Sequence, residues 1–237
     1  MRLEEKIIKH IMTKKIQQPT NDEPIALDVQ LNKGEAFIEK NWKKLAAALG
    51  AVVIVVAGFY IYKHILSGKE VDAQKAIASA QMAFAQQQYE QALNGDSNSK
   101  GFIKVINEFG GTKTANLAKL YAGLSYAKTG KVDEAIKYLE DFSAQDDEMI
   151  SPEAVASLGN LYIQKGDTQK GIDKLLKAAD MADNDAVSPI ALLQAGEAYE
   201  SLGQNEKAVE LYKKIKKSYF RSNVAKDIDK YVERATK

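Results

Sequence analysis

The sequence predicts an all-α protein: a single N-terminal transmembrane helix, then an α-solenoid of about four helix pairs plus a closing helix. Three observations predict it. The stretch 45–62, LAAALGAVVIVVAGFYIY, contains no charged residue and no proline. In the trailing region, three marker residues recur in register at spacings of 36 and 37. Only four prolines occur in 237 residues, which favours helix throughout.

Composition excludes several classes. Lys+Arg 33 against Asp+Glu 32 is nearly neutral, so nothing points to nucleic acid. Residues 1–44 hold nine basic and seven acidic side chains, and residues 63–237 hold 24 and 25, so neither region carries a strong field. Without cysteine there is no disulfide, iron–sulfur cluster or Cys-ligated zinc. Residues 63–237 are enough for one well-buried domain or a short repeat array.

The first element is an arm, residues 1–44. Within 1–16, Leu3, Ile7, Ile8, Ile11 and Met12 fall near one helical face among Arg2, Lys6, Lys9, Lys14 and Lys15. This reads either as a basic amphipathic helix on a membrane surface or as a disordered leader. Met12-Thr13-Lys14-Lys15 reads as an alternative start. Residues 17–28 carry Pro19 and Pro24 among polar residues and read as a linker. Asn32 is expected to cap a helix running through Phe37 and Trp42.

The second element is the span itself, from Leu45 to Tyr62. Its 18 residues make about 27 Å of helix, close to a ~30 Å hydrocarbon core. Trp42, Lys43, Lys44 and Lys63 complete the crossing. A core helix of this length shows a polar face, and a signal peptide has a shorter apolar run ending in small residues. Here the run ends in Phe59-Tyr60-Ile61-Tyr62. Lys33, Lys40, Lys43 and Lys44 precede it, against Lys63, Lys69 and Lys75 after it. That slight excess favours the arm inside.

After a linker at 63–70 comes the array, 71–237. A degenerate first repeat covers 71–111: a helix at 71–92, the turn-rich insertion Asn94-Gly95-Asp96-Ser97-Asn98-Ser99, and a short helix ended by Gly110-Gly111. The insertion reads as a spacer or a functional loop. Clear repeats follow at about 115–148, 151–184 and 188–220. Gly123, Gly159 and Gly196 let paired helices approach closely. Tyr126, Tyr162 and Tyr199 pack between them. Gly130, Gly166 and Gly203 take the left-handed turn that ends each first helix. Ala135, Gly171 and Ala208 seat the second helix. Ser151-Pro152 and Ser188-Pro189 read as an N-cap serine with proline at N1. A closing helix at 222–235 turns Lys226, Asp227, Asp229, Lys230, Glu233 and Arg234 to solvent.

This glycine, tyrosine, glycine, alanine order resembles the tetratricopeptide repeat family, whose helix–turn–helix unit of ~34 residues is slightly shorter. The family's tryptophan position holds Lys119, Val155 and Leu192. The resemblance implies a protein-binding array whose first helices line a concave face. Its inward positions fall at Leu117, Leu120, Leu124, Ala156, Asn160, Ile163, Leu193, Glu197 and Glu200. Such a face suits a peptide with apolar anchors. Alternatively, the leucines pack against the degenerate repeat. The carboxylate-clamp version of the family needs Lys and Asn where this chain has Leu120 and Leu124.

No residue set points to catalysis. His10 and His64 are the only histidines and lie in different regions. The stretch 123–131 resembles a phosphate loop but has six residues between its glycines and Val132 after the lysine. Asp146-Asp147-Glu148 reads as a solvated turn between repeats. Lys213, Lys214, Lys216 and Lys217 suit a helix C-terminus, or an anionic partner. The chain is expected to need no cofactor or metal and not to be an enzyme.

Arm, span and array together resemble bacterial membrane-anchored tetratricopeptide proteins of the YfgM type, ancillary to the Sec translocon. That implies a periplasmic array on the cytoplasmic membrane, with the translocon and periplasmic chaperones as partners. Two stretches, Ala92-Leu93-Asn94-Gly95-Asp96-Ser97 and Gly111-Thr112-Lys113-Thr114-Ala115-Asn116-Leu117-Ala118, resemble a pattern in this group. Other readings are an adaptor in cell-envelope assembly or division, and a homo-oligomer joined through apolar first-helix surface.

Overall fold

The computed structural model describes residues 26–237. The arm at 1–16 and most of the expected linker lie outside them. The chain divides into two units, Met1–Ile61 and Tyr62–Lys237.

The described part of the first unit is helical. Helix α1, Ala26–Ala85, contains Asn32 within it, so Asn32 is not its cap. The apolar run is exposed on every side, with Ile54 73% and Val55 71% exposed. Among the described residues this is the one helix long and apolar enough to cross a membrane.

The second unit begins with the rest of α1. Residues 63–70, expected as a linker, are helical. The lone Gly68 costs only about 1 kcal/mol of helix preference, and Glu70 is tied down by hydrogen bonds described below. The helix expected over 71–92 is two helices. α1 stops at Ala85, and Gln87 takes φ 61. The Gln88 N–H returns to the Ala83 carbonyl at 2.9 Å. Then come α2 (Tyr89–Asn94) and α3 (Phe102–Glu108). Between them the insertion closes on itself. Gly95 and Lys100 form a bridge, and the Asp96 carboxylate accepts from the Asn98 N–H and the Ser99 hydroxyl, both at 2.8 Å. Such an Asx turn is what Asp and Asn favour in loops.

Three helix pairs follow: α4 (Lys113–Lys128) with α5 (Val132–Glu140), α6 (Ile150–Lys165) with α7 (Thr168–Ala182), and α8 (Ser188–Ser201) with α9 (Asn205–Ser218). A 3₁₀ turn, Val224–Asp227, leads into α10 (Ile228–Ala235). Gly130, Gly166 and Gly203 take φ 76, 99 and 69, the left-handed conformation that only glycine adopts cheaply. In the α6–α7 pair the backbones nearly touch. A Cβ on Gly171 would lie 2.6 Å from the Gly159 carbonyl oxygen, so a larger residue would push the helices apart.

The serines expected as caps do something else. Ser151 and Ser188 lie inside the first turns and are fully buried. Asp147 caps α6, its Oδ1 accepting from the Met149, Ile150 and Ser151 N–H groups at 3.0, 2.6 and 3.0 Å. Ser151 donates to Asp147 and accepts from the Gln145 N–H. At the next repeat, Asn184 accepts from the Ala186 and Val187 N–H groups, while Ser188 donates to the Ala179 carbonyl at 2.8 Å. In both cases a side chain four residues upstream closes the turn. The serine fixes that turn to the core, because a buried hydroxyl must find partners.

Three apolar cores run along the array. The first joins the end of α1 to α2, α3 and α4 through Ile77, Leu93, Phe102 and Val105. The second joins α4, α5 and α6. The third holds α6–α10 together around Leu175, Leu192, Tyr212, Ile215 and Ile228.

Candidate partner-binding site

Shallow grooves lie beside the first helices, one between α1 and α4 and one between α6 and α8. Leu117 borders the one between α1 and α4, of about 430 Å³, beside Gln74, Ile77 and Gln81. Asn160 lies in the one between α6 and α8, of about 170 Å³, and its Nδ2 donates to Gln194 Oε1 at 3.1 Å. Ala156 and the exposed Ile190 line that groove too. Leu124, Ile163 and Leu193 are half-buried and packed against the cores, with one edge left outward. Leu120 is 6% exposed and belongs to the core with Ala154, Leu158 and Leu161, so it offers no surface. Its neighbours are the following repeat, not the degenerate one.

Glu197 and Glu200 are engaged by the chain itself. Arg234 of α10 makes a two-pronged pair with Glu200, with Nη2 and Nε at 2.7 and 3.0 Å, and reaches Glu197 at 4.0 Å. The Tyr212 hydroxyl also donates to Glu200. The Arg234 hydrogen bonds hold the Glu200 carboxyl below its ordinary value, and the Tyr212 bond adds to this. Burial and the adjacent Glu200 push Tyr212 up. Arg234, expected on the solvated face of the closing helix, is 54% exposed there and also pins that helix to the last pair. A similar trio stands one pair earlier. The Tyr162 hydroxyl donates to Glu140, and the Lys170 ammonium lies 3.8 Å over the Tyr162 ring.

At the other end of the array, Glu70 of α1 accepts from the Lys113 N–H at 2.7 Å, the Thr114 N–H at 3.2 Å and the Thr114 hydroxyl at 2.6 Å. Partial burial raises this carboxyl, but the Thr114 and Lys113 bonds outweigh it and the net shift is downward. Thr112 caps the same helix, accepting from the Ala115 N–H at 3.0 Å. Sequence reading missed Glu70, Asp147 and Arg234 as organising residues. Only Asp147 left a signal: Asp or Asn recurs four residues before each Ser-Pro. Among the described residues no three His, Asp or Glu gather as a metal site.

Stacked helix pairs with grooves between their first helices define a class: helical repeat arrays that bind other proteins. The sequence model of the tetratricopeptide repeat-like domain matches residues 35–228, and the chain belongs to that family. No curated protein matches the chain. Among solved structures, the crystal structure of MamA protein is similar in fold, with a TM-score of 0.51 and 20% identity over 71% of this chain and 91% of that one. The nearly identical TPR-like repeats of a putative kinesin light chain from Podosopora anserina give a TM-score of 0.49 and 15% identity, over 72% and 84%.

Proposed function

We propose that the chain is a single-pass membrane scaffold whose repeat array binds other proteins. Residues 45–62 cross the bacterial cytoplasmic membrane, the arm stays cytoplasmic and the array faces the periplasm. The observation that carries this is the contrast between an uncharged run exposed on all sides and an array with packed cores. Apolar area left in water costs roughly 25 cal/mol per Å², and a bilayer removes that cost along the whole run. The family match begins at residue 35, so it takes in the run as well as the array. The lysines before the run support the orientation.

The partner-facing surface is the first-helix side, with Leu117, Leu124, Asn160, Ile163 and Leu193 contributing exposed edges. Resemblance to YfgM-type proteins supports the translocon and periplasmic chaperones as partners. The absence of cysteine makes the topology simple to test. Ser97→Cys should label with a membrane-impermeant maleimide in spheroplasts, and Asn21→Cys only after lysis. The reverse pattern overturns the orientation, and release of the chain by carbonate overturns the span. A photo-crosslinker at Ile163 or Leu193 in native membranes should give translocon or chaperone adducts. Adducts lacking both would end the translocon version.

A further inference from the structure

Beyond the apolar run, α1 has two faces. One is packed: Ile77 and Ala80 are buried in the first core, and Phe84 packs against it. The other carries Gly68, Val71, Lys75, Ala78, Met82 and Ala85, all exposed. At about 100° per residue, these two stripes fall on opposite sides of the helix. The exposed residues are separated by three and four positions in strict alternation. That is the seven-residue repeat of a seam between two helices, and the array does not use it.

A helix face that meets only water looks different. On α10 the outward residues are Asp229, Lys230 and Glu233. On α1, Val71 is 53% and Met82 64% exposed, and Lys75 is the one charged residue of the stripe, 3.9 Å from Asp72 of its own helix. Gly68 is not required by the fold of its own chain. Nothing lies within 4 Å of where its Cβ would stand, although glycine inside a helix costs about 1 kcal/mol against alanine. A second helix passing close by would use the missing side chain. The flanking positions raise no barrier to a like partner. Ser67, Gln74 and Gln81 border one side of the stripe and Asp72 the other, so in a parallel pair Asp72 faces Ser67 and not another acid. The two Lys75 stems can carry their ammonium groups outward to water. A lone lysine in a seam also fixes register and partner number.

We propose that, on the single-span reading above, this face of α1 pairs with the same face of a second copy, in parallel and in register. The tether says what covers the face. Copies held by the same span leave the membrane in one direction and at one depth, so identical residues of α1 come level. The seam then closes about a two-fold axis, each stripe meeting itself. Residues 68–85 make about 27 Å of helix, a short seam for two chains in free solution. Confinement to one bilayer supplies the effective concentration that such a seam needs. Because the stripe lies opposite the packed face of α1, pairing sets the two arrays outward, away from each other.

The chain has no cysteine, so single cysteines in the full chain report the seam in native membranes. Under a mild oxidant, Ala78→Cys and Met82→Cys should each give about tenfold more disulfide-linked dimer than Gln74→Cys, because only seam positions bring identical Cβ atoms within disulfide reach. Adding Val71→Glu and Ala78→Glu to Met82→Cys should cut the linked fraction about tenfold by setting like charges face to face. All these positions are exposed, and circular dichroism checks that the variants fold. Gln74→Cys linking as well as Ala78→Cys, or Met82→Cys linking that survives the two glutamates, overturns the inference. Dimer linked instead through Ile190→Cys puts the contact on the first-helix face and overturns it too. If carbonate releases the chain, the tether is lost and both readings fall. A chain that stays in the membrane without linking overturns this one alone.

Discussion

The two halves of the array close their cores by different means. Behind residue 150, helices are long, and small residues let backbones meet. Gly159 faces Gly171, and a Cβ on Gly196 would strike the Tyr212 ring at 2.3 Å. Ahead of residue 150, Gly123 also lies close to its partner helix, with a Cβ there 3.2 Å from the Ala135 carbonyl oxygen, but rings fill much of the remaining space. Tyr121 stacks on Phe102 at 5.3 Å and meets Phe84 edge-on at 5.1 Å, while Tyr126 stacks on Tyr138. Apart from α1 and α4, the helices there are short, and polar side chains such as Asn116, Glu70 and Asp96 fasten the turns between them. The lesson is that one repeat spacing permits two kinds of packing. A glycine seated against backbone, or against a ring as in α8–α9, makes the long rear pairs. Ring packing tolerates broken helices.

This contrast can be broken experimentally. The largest effect is expected from Phe102→Ala, which removes a fully buried ring and should cost about 3–5 kcal/mol. Hydrogen exchange should then quicken in α2–α4 and leave α8–α9 protected. Equal loss in both halves would show that they do not differ in this way. Gly171→Leu attacks the rear half, where overpacking should cost ~1–3 kcal/mol. Urea unfolding should register it, and an unchanged midpoint would mean that close approach is not what seats α7. Glu70→Ala leaves the first N–H groups of α4 without their acceptor and should cost about 1–2 kcal/mol. Faster exchange at Lys113 and Thr114 would mark it, and unaltered exchange there would dismiss the tie.

The smallest effect concerns pH. Glu200 has a folded value below its ordinary 4.5, so its pair with Arg234 stabilises the fold above 4.5 and fades as pH falls through the lower folded value. Arg234 is 54% exposed, so screening keeps this to about 1 kcal/mol or less. Protection of the α10 amides, measured against their intrinsic exchange at each pH, should therefore fall on acidification, and Arg234→Ala should remove that dependence. A variant that keeps the acid response would assign it to another group.

Much of the fold was legible because backbone demands are local. A turn that needs positive φ selects glycine, and Gly130, Gly166 and Gly203 announce it. The break at 86–88 had no such marker: Gln87 takes positive φ, and its N–H and that of Gln88 turn back to the Phe84 and Ala83 carbonyls. The candidate surface was less legible. Leu117 and Leu120 are the same residue type three positions apart, yet one borders a groove and the other is core. Which of them is covered depends on where α6 lands. Glu197 and Glu200 read as free acids until Arg234, 34 residues beyond Glu200, is placed beside them.

The sequence by itself determined the uncharged run, the helix pairs and their register, because hydrophobicity, periodicity and glycine placement act over a few residues. Tertiary structure alone decided that α1 continues through 63–70, that Asp147 and Asn184 close the turns, and that Arg234 takes the last acids. Those outcomes depend on contacts between residues far apart in the chain, and no local pattern encodes which partner arrives.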